Sequence, residues 1–350
     1  MLDSLFGIAA DKLSSAAAVV HSKFVAGTTN RWGYPQFQAR GLFKPATMRH
    51  PAHMGESKNQ QKRDQEKELI QRVVKATRKA VVTGPAAARL IGIATYTWVE
   101  KVDLVLPSDT HAMTSPHKQR DRVYRSAQLP DSNWSERDGT KTTSLIRTLF
   151  DSYRYYGRRE ALVQIESARS KWPELTVENL LERTKTLPRA KGLKGFRELI
   201  AYSTDTSASP LETIKRDAIL RAIADGRLTG VETLEYQVGF SITDRYGMPT
   251  EAWVDFLING HIVAEADGRL KKDGTFGDAT DVTMSERHRE VELQNEGAQF
   301  VRTGWFDSEA KFIGQLQRRI DMYPGVRQLP NRLDQTHREY VTAIERQMAS

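Results

Sequence analysis

The sequence predicts a mixed α/β (α+β) protein: a mixed sheet flanked by helices, preceded by a mostly helical middle segment. Two observations carry this. From Ser209 to Arg302 the chain reads as helix, strand, hairpin, strand, loop, helix, strand. Residues 142–156, 158–169 and 176–184 carry the spacing of helices. A third observation points to function. Asp255 and Glu265 fall inside strands that should be half-buried, where a carboxylate costs free energy unless it is paired or holds a cation.

The chain has 350 residues, enough for two or three domains with real cores. Its net charge is +8, and the N-terminal quarter holds all of it: residues 1–79 carry 14 Lys/Arg against 6 Asp/Glu. A basic segment on a neutral body suggests a polyanion partner, with DNA first, or else a solvated helix face. The absence of cysteine removes disulfides, thiol nucleophiles and Cys-based zinc sites. Asp3 and Asp11 flank the first apolar turn and no basic n-region precedes it, so the N-terminus does not read as a signal peptide. No apolar run reaches about 18 residues, so no membrane partner is expected and the cytoplasm is the expected location.

Element by element, residues 1–27 read as Ala-rich helix and 28–61 as loop. From Asp64 to about Ala80 a helix sets Leu69, Ile70, Val73 and Val74 on one face and Lys/Arg on the other. "VVTGPAAARLIGI" (81–93) reads as a strand end, a Gly-Pro break and a short buried helix, with Pro85 at its first position. "KVDLVLP" (101–107) and "RVYRS" (122–126) alternate like strands. Residues 189–209 end in a small, polar stretch that reads as a linker. The expected divisions are 1–79, a basic N-terminal region; 80–203, the middle domain; 204–325, the C-terminal domain; and 326–350, a helix or tail.

"VTGPAAARLIGI", then "DGTKTTSLIRTLFD" (138–151), then the block opening at Ser209-Pro210-Leu211-Glu212 resemble the actinobacterial AbiEi-antitoxin-like proteins. "RGLFKP" (40–45) is similar to the end of that family's wing. The resemblance covers about 41–322. It implies a degenerate winged-helix-like region, an AbiEi-like middle domain and a C-terminal very-short-patch-repair-like domain, a branch of the PD-(D/E)xK restriction-endonuclease-like fold. Asp267 stands where most such enzymes carry lysine, and Gly268 follows it. Lys271 stands three residues further on, where related domains place a histidine or lysine. The resemblance makes it the residue that orients water or stabilises phosphate; the other reading of Asp267-Gly268 is a plain turn.

Metal-assisted phosphodiester hydrolysis needs carboxylates on adjacent strands to hold Mg2+ or Mn2+, a group to orient water, and cations facing the transition state. Asp255 and Glu265 are the expected pair, with Asp267 on the same face as Glu265. The turn between them decides the geometry. A two-residue Asn259-Gly260 turn pairs Ile258 with His261 and sends the two carboxylates to opposite faces. A three-residue loop Ile258-Asn259-Gly260, with Gly260 left-handed, sets Asp255 diagonal to Glu265 on one face, at roughly 7–8 Å. The nuclease reading predicts the second.

Glu212 has two readings. Ser209, Pro210 and Glu212 form a Ser-x-x-Glu capping box, which accounts for the glutamate structurally; alternatively Glu212 points at the metal or its water. Glu286, Arg287 and Arg289 read as a helix start, where the arginines contact phosphate or hold an active-site carboxylate ionised, or are simply solvated. Arg302 is placed along a nucleic-acid groove, and Trp305 in the core. No zinc spacing, P-loop or Gly-x-Ser-x-Gly elbow is present. Two classes of function remain. One is a metal-dependent DNA endonuclease or nickase, in phage defence, a mobile element or repair. The other is a non-catalytic DNA-binding antitoxin or regulator on a nuclease-like scaffold. In either, residues 1–27 offer a contact for a protein partner, a toxin or a second copy.

Overall fold

A computed structural model describes residues 58–107, 120–207, 209–266, 279–337 and 339, all within one compact unit, Ala52–Ser350. The expectations for 1–57, for Asp267, Gly268 and Lys271, and for 340–350 lie outside the described residues. Among those described, no helix is long and apolar enough to cross a membrane.

The protein is mixed α/β, with two mixed sheets flanked by helices. Helix α1 (Lys58–Ala76) buries Ile70 and Val73 against β1 (Val81–Thr83) and β2 (Val102–Val105). Its Glu66 accepts the Val99 amide at 2.7 Å and pairs with Arg89 at 3.1 Å. Helix α2 (Gly84–Ile91) follows β1 directly, with Pro85 in its first turn. Gly84 is obligatory at this corner: its φ is +62°, and a Cβ would lie 3.1 Å from the Asp103 carboxylate.

The middle segment is less helical than the sequence predicts. It holds a five-stranded sheet, ordered β3-β2-β1-β5-β4, with β3 at Arg122–Tyr124, β4 at Trp134–Arg137 and β5 at Thr140–Thr143. β4 and β5 close on Asp138-Gly139, both with positive φ, as a two-residue hairpin requires. They escape the sequence reading because four-residue polar strands show no usable alternation. Helices α3 (Leu145–Tyr156), α4 (Arg158–Lys171), α5 (Val177–Arg183) and α6 (Leu193–Tyr202) complete this half.

Residues 203–207 are no loose linker. The buried Glu166 of α4 accepts the Ser207 hydroxyl at 2.7 Å and the Thr204 amide at 3.1 Å, and it pairs with the buried Arg216. A buried carboxylate needs these donors, and supplying them pins the connection. Arg216 and Asp217 belong to α7 (Pro210–Ala224), and Asp217 takes Arg158 of α4 at 2.7 Å and Arg221 at 3.0 Å. Burial pushes the Asp217 carboxyl up, but Arg158, Arg221 and Tyr202 outweigh it and hold it below the usual range. Charged pairs thus join the two sheet-bearing halves.

The second sheet is ordered β6-β7-β8-β9: β6 (Leu234–Thr243), β7 (Pro249–Ile258), β8 (Ile262–Ala266) and β9 (Gln299–Thr303). Neighbours are antiparallel up to β8, and β8 and β9 run parallel. The crossover is α8 (Ala279–Asn295), and α9 (Glu309–Met322) follows β9. Phe256, Ile258, Ile262 and Ala264 pack under α7 and α9, against Ile219, Phe312 and Leu316. Leu257 and Val263 face the other way, onto Leu293 of α8. Residues 331–333 lie in the C-terminal stretch expected as a helix or tail. They bond to β6 through Ser241 N–H to Asn331 at 2.8 Å and Leu333 N–H to Gly239 at 2.9 Å, covering its open edge.

The β7–β8 turn has three residues, displaced by one from the expected loop. Ile258 pairs with Ile262, leaving Asn259-Gly260-His261 as the turn. Asn259 and Gly260 have φ of +50° and +69°. The buried Asn259 side chain accepts the Glu232 and Thr233 amides at 2.8 and 3.2 Å and donates to the Gly230 carbonyl at 2.7 Å. A Cβ on Gly260 would stand 2.1 Å from the Arg327 carbonyl oxygen. Gly260→Ala is therefore expected to destabilise the protein by about 2 kcal/mol or more in urea unfolding; an unchanged midpoint would contradict this packing.

Candidate metal and phosphodiester site

The site is assembled where α7 begins, where β6 and β7 are at mid-length, and where β8 ends. At the start of α7 the Ser209 hydroxyl accepts the Glu212 amide at 3.3 Å, half of the expected capping box. The Glu212 carboxylate also reaches the sheet, accepting Gln237 Nε2 at 2.9 Å. That same nitrogen lies 3.5 Å from Asp255 Oδ1, the long limit of a hydrogen bond. Asp255 Oδ2 accepts the Ala266 amide at 2.8 Å, fixing the carboxylate beside the end of β8. One side-chain amide thus bridges two carboxylates from different elements.

The backbone explains the convergence. The β6–β7 ladder pairs Tyr236 with Phe256 and Val238 with Val254, but skips Gln237 and Asp255. Gln237 has a left-handed φ of +50°. The apolar neighbours also exchange sides there: Tyr236 and Phe256 pack in the α7/α9 cluster, Val238 and Val254 in the α8 cluster. The gap frees two polar side chains from the ladder where the sheet changes faces.

Glu265, 8% exposed, is held differently. The parallel β8–β9 register sets it beside Arg302. Its Oε2 lies 3.4 Å from Arg302 Nη2, and its Oε1 accepts Arg289 Nη2 at 3.1 Å. Arg302 also pairs with Glu290 at 2.9 Å. Continuing the β7–β8 register one position past Phe256 and Ala264 places Asp255 straight across from Glu265, not diagonal to it.

Each expected residue can now be placed. Glu212 and Asp255 meet, and Glu265 neighbours Asp255 but lies between two arginines. Arg289 and Arg302 face Glu265, while Arg287 is exposed. Glu286 to Arg289 lie in the interior of α8, not at a helix start, because the helix begins at Ala279. Trp305 is 41% exposed rather than core and lies near Tyr96, with ring centroids 6.2 Å apart. Gln237 and Glu290 went unrecognised in the sequence; the one trace of Gln237 is an amide inside the apolar run of "LEYQVGFSIT".

Glu212 and Asp255 offer hard carboxylate oxygens of the kind Mg2+ and Mn2+ take. Among the described residues no group of three or more acidic or histidine side chains is arranged to hold a metal ion. No protein-family model, curated protein or solved structure matches the chain.

The Glu265–Arg302 contact can be tested on its own. A double-mutant cycle of Glu265→Gln and Arg302→Met is expected to give a favourable coupling of about 0.5–3 kcal/mol in urea unfolding. Simple additivity would mean that the pair does not exist in solution.

Proposed function

We propose that the chain is a divalent-metal-dependent DNA endonuclease or nickase. In this reading residues 204–325 form a PD-(D/E)xK domain of the very-short-patch-repair type, in an AbiEi-like cytoplasmic protein of phage defence or a mobile element. The observation that carries the reading is the order helix, three antiparallel strands, helix, parallel strand from Pro210 to Thr303. It brings one carboxylate from the helix, Glu212, to one from the second strand, Asp255, beside one from the third, Glu265.

Glu212 and Asp255 would hold Mg2+ or Mn2+, with Glu265 and Asp267 as further carboxylates. The metal would polarise the phosphodiester and lower the pKa of a water. Water adds across one P–O bond, leaving a phosphate on one strand end and a hydroxyl on the other. Lys271 orients the water or meets the phosphate. Arg289 and Arg302, which pair with Glu265, would contact phosphate, Arg287 would reach the DNA backbone, and the basic 1–79 segment would add further phosphate contacts. A toxin or a second copy would dock on residues 1–27.

The second reading is a non-catalytic DNA-binding antitoxin or regulator. It is favoured by one observation, the pairing of Glu265 with Arg289 and Arg302. Cleavage separates the two. With Mg2+ or Mn2+ the purified protein is expected to nick or cut DNA, and Asp255→Ala and Glu265→Ala each to abolish cutting while remaining folded by circular dichroism. Inert wild type and variants on plasmid, oligonucleotide and RNA, with DNA still shifted in a gel, would establish the regulator.

Under both readings the DNA affinity falls steeply with salt, by orders of magnitude between 50 and 200 mM if ~6 or more phosphates are contacted. A salt-independent affinity would remove the basic segment from the interface.

A further inference from the structure

Residues 94–99, in the loop between α2 and β2, are held in place by side chains from two helices. Glu160 of α4 accepts the Tyr96 amide at 3.2 Å and the Thr97 amide at 2.8 Å, and Glu66 of α1 accepts the Val99 amide at 2.7 Å. Ser167 of α4 takes the Ala94 amide at 2.8 Å. Both glutamates are buried, which costs free energy that the loop amides offset. The bonds fix an alternation. Thr95 and Val99 are buried and the Thr97 hydroxyl turns inward to Glu160 at 2.8 Å, while Tyr96 and Trp98, each half-buried, project from the other side.

Cations flank both outward rings. Lys62 Nζ lies 5.0 Å from the Trp98 ring centre, and the Arg89 guanidinium lies 5.8 Å from it. The Arg159 guanidinium lies 5.5 Å from the Tyr96 ring centre. Lys62 and Arg159 are exposed. Trp305, 6.2 Å from Tyr96, extends the row. It stands in a turn closed by Asp307, which accepts the Gly304 amide at 2.8 Å. Beside it Phe306 is 89% exposed, so its ring adds little to the core. Aromatic rings interleaved with Lys and Arg are the surface that an unpaired nucleic-acid strand takes: base faces stack on the rings and phosphates meet the cations. A duplex keeps its base faces inside its own stack, so the rings favour a single strand.

We propose that residues 94–99 and the turn 304–307 form a stacking surface for single-stranded DNA, with bases on Tyr96, Trp98 and Phe306 and phosphates on Lys62 and Arg159. This rests on the DNA partner of the reading above. It goes beyond that reading by naming an unpaired strand and the residues that hold it, and it needs neither the metal nor cleavage.

The test is fluorescence anisotropy of the full chain with a labelled oligothymidylate of about 16 nucleotides, a blunt duplex of the same length and the matching oligouridylate. Phe306→Ala is expected to keep the wild-type urea midpoint and to weaken oligothymidylate binding about fivefold or more, with the duplex unaffected. Its salt dependence stays that of wild type, because stacking releases no counterions. Lys62→Met and Arg159→Met are each expected to weaken binding and to lower the slope of log affinity against log salt by about 0.7. Unchanged oligothymidylate affinity in both Phe306→Ala and Trp305→Ala, or an equal loss on the duplex, overturns the stacking surface and leaves the DNA partner standing. Tighter binding of the oligouridylate than of the oligothymidylate overturns DNA as the occupant. No DNA bound by the wild type, single- or double-stranded, removes this surface and the DNA reading together.

Discussion

The turn at Asn259-Gly260-His261 governs the second half of the molecule. Side chains alternate along a strand, so one residue more or less in this turn would send Glu265 to the face opposite Asp255. Two fixtures prevent the slip. Asn259 spends its side chain on three backbone groups between Gly230 and Thr233. Gly260 lies so close to the Arg327 carbonyl that no side chain fits. The same register seats Phe256, Ile258, Ile262 and Ala264 under α7 and α9, so core packing and carboxylate placement are specified together.

Given that register, the electrostatics of the site follow from how each carboxylate is satisfied. Glu212 and Asp255 share a neutral amide, which screens their repulsion only weakly. Glu265 takes two guanidinium groups, a firmer arrangement, since Arg302 is anchored in turn on Glu290. The first pair thus rests on a neutral donor and the third on two cations.

Much of this was legible in the chain, for local reasons. The cap at Ser209, the proline after it, the alternation around Trp253-Val254-Asp255 and the Asn-Gly pair are signals spanning a few residues. They give the order of elements from 209 to 303. What escaped depends on distant partners. The left-handed Gln237 is set by the sheet around it, and no neighbour in the sequence announces it. The hairpin at Asp138-Gly139 joins strands too short and polar to alternate visibly. The supposed linker at 203–207 is fixed by Glu166, about forty positions earlier. The displacement of the turn by one residue required the contact with Arg327, beyond the domain boundary expected at 325.

The central claim is that Glu212 and Asp255 would hold one divalent cation. Anomalous scattering from a Mn2+-soaked crystal tests it most directly. The account predicts a single strong peak within coordinating distance of both carboxylates. A crystal with no peak there, or with Mn2+ only at other carboxylates, would contradict it.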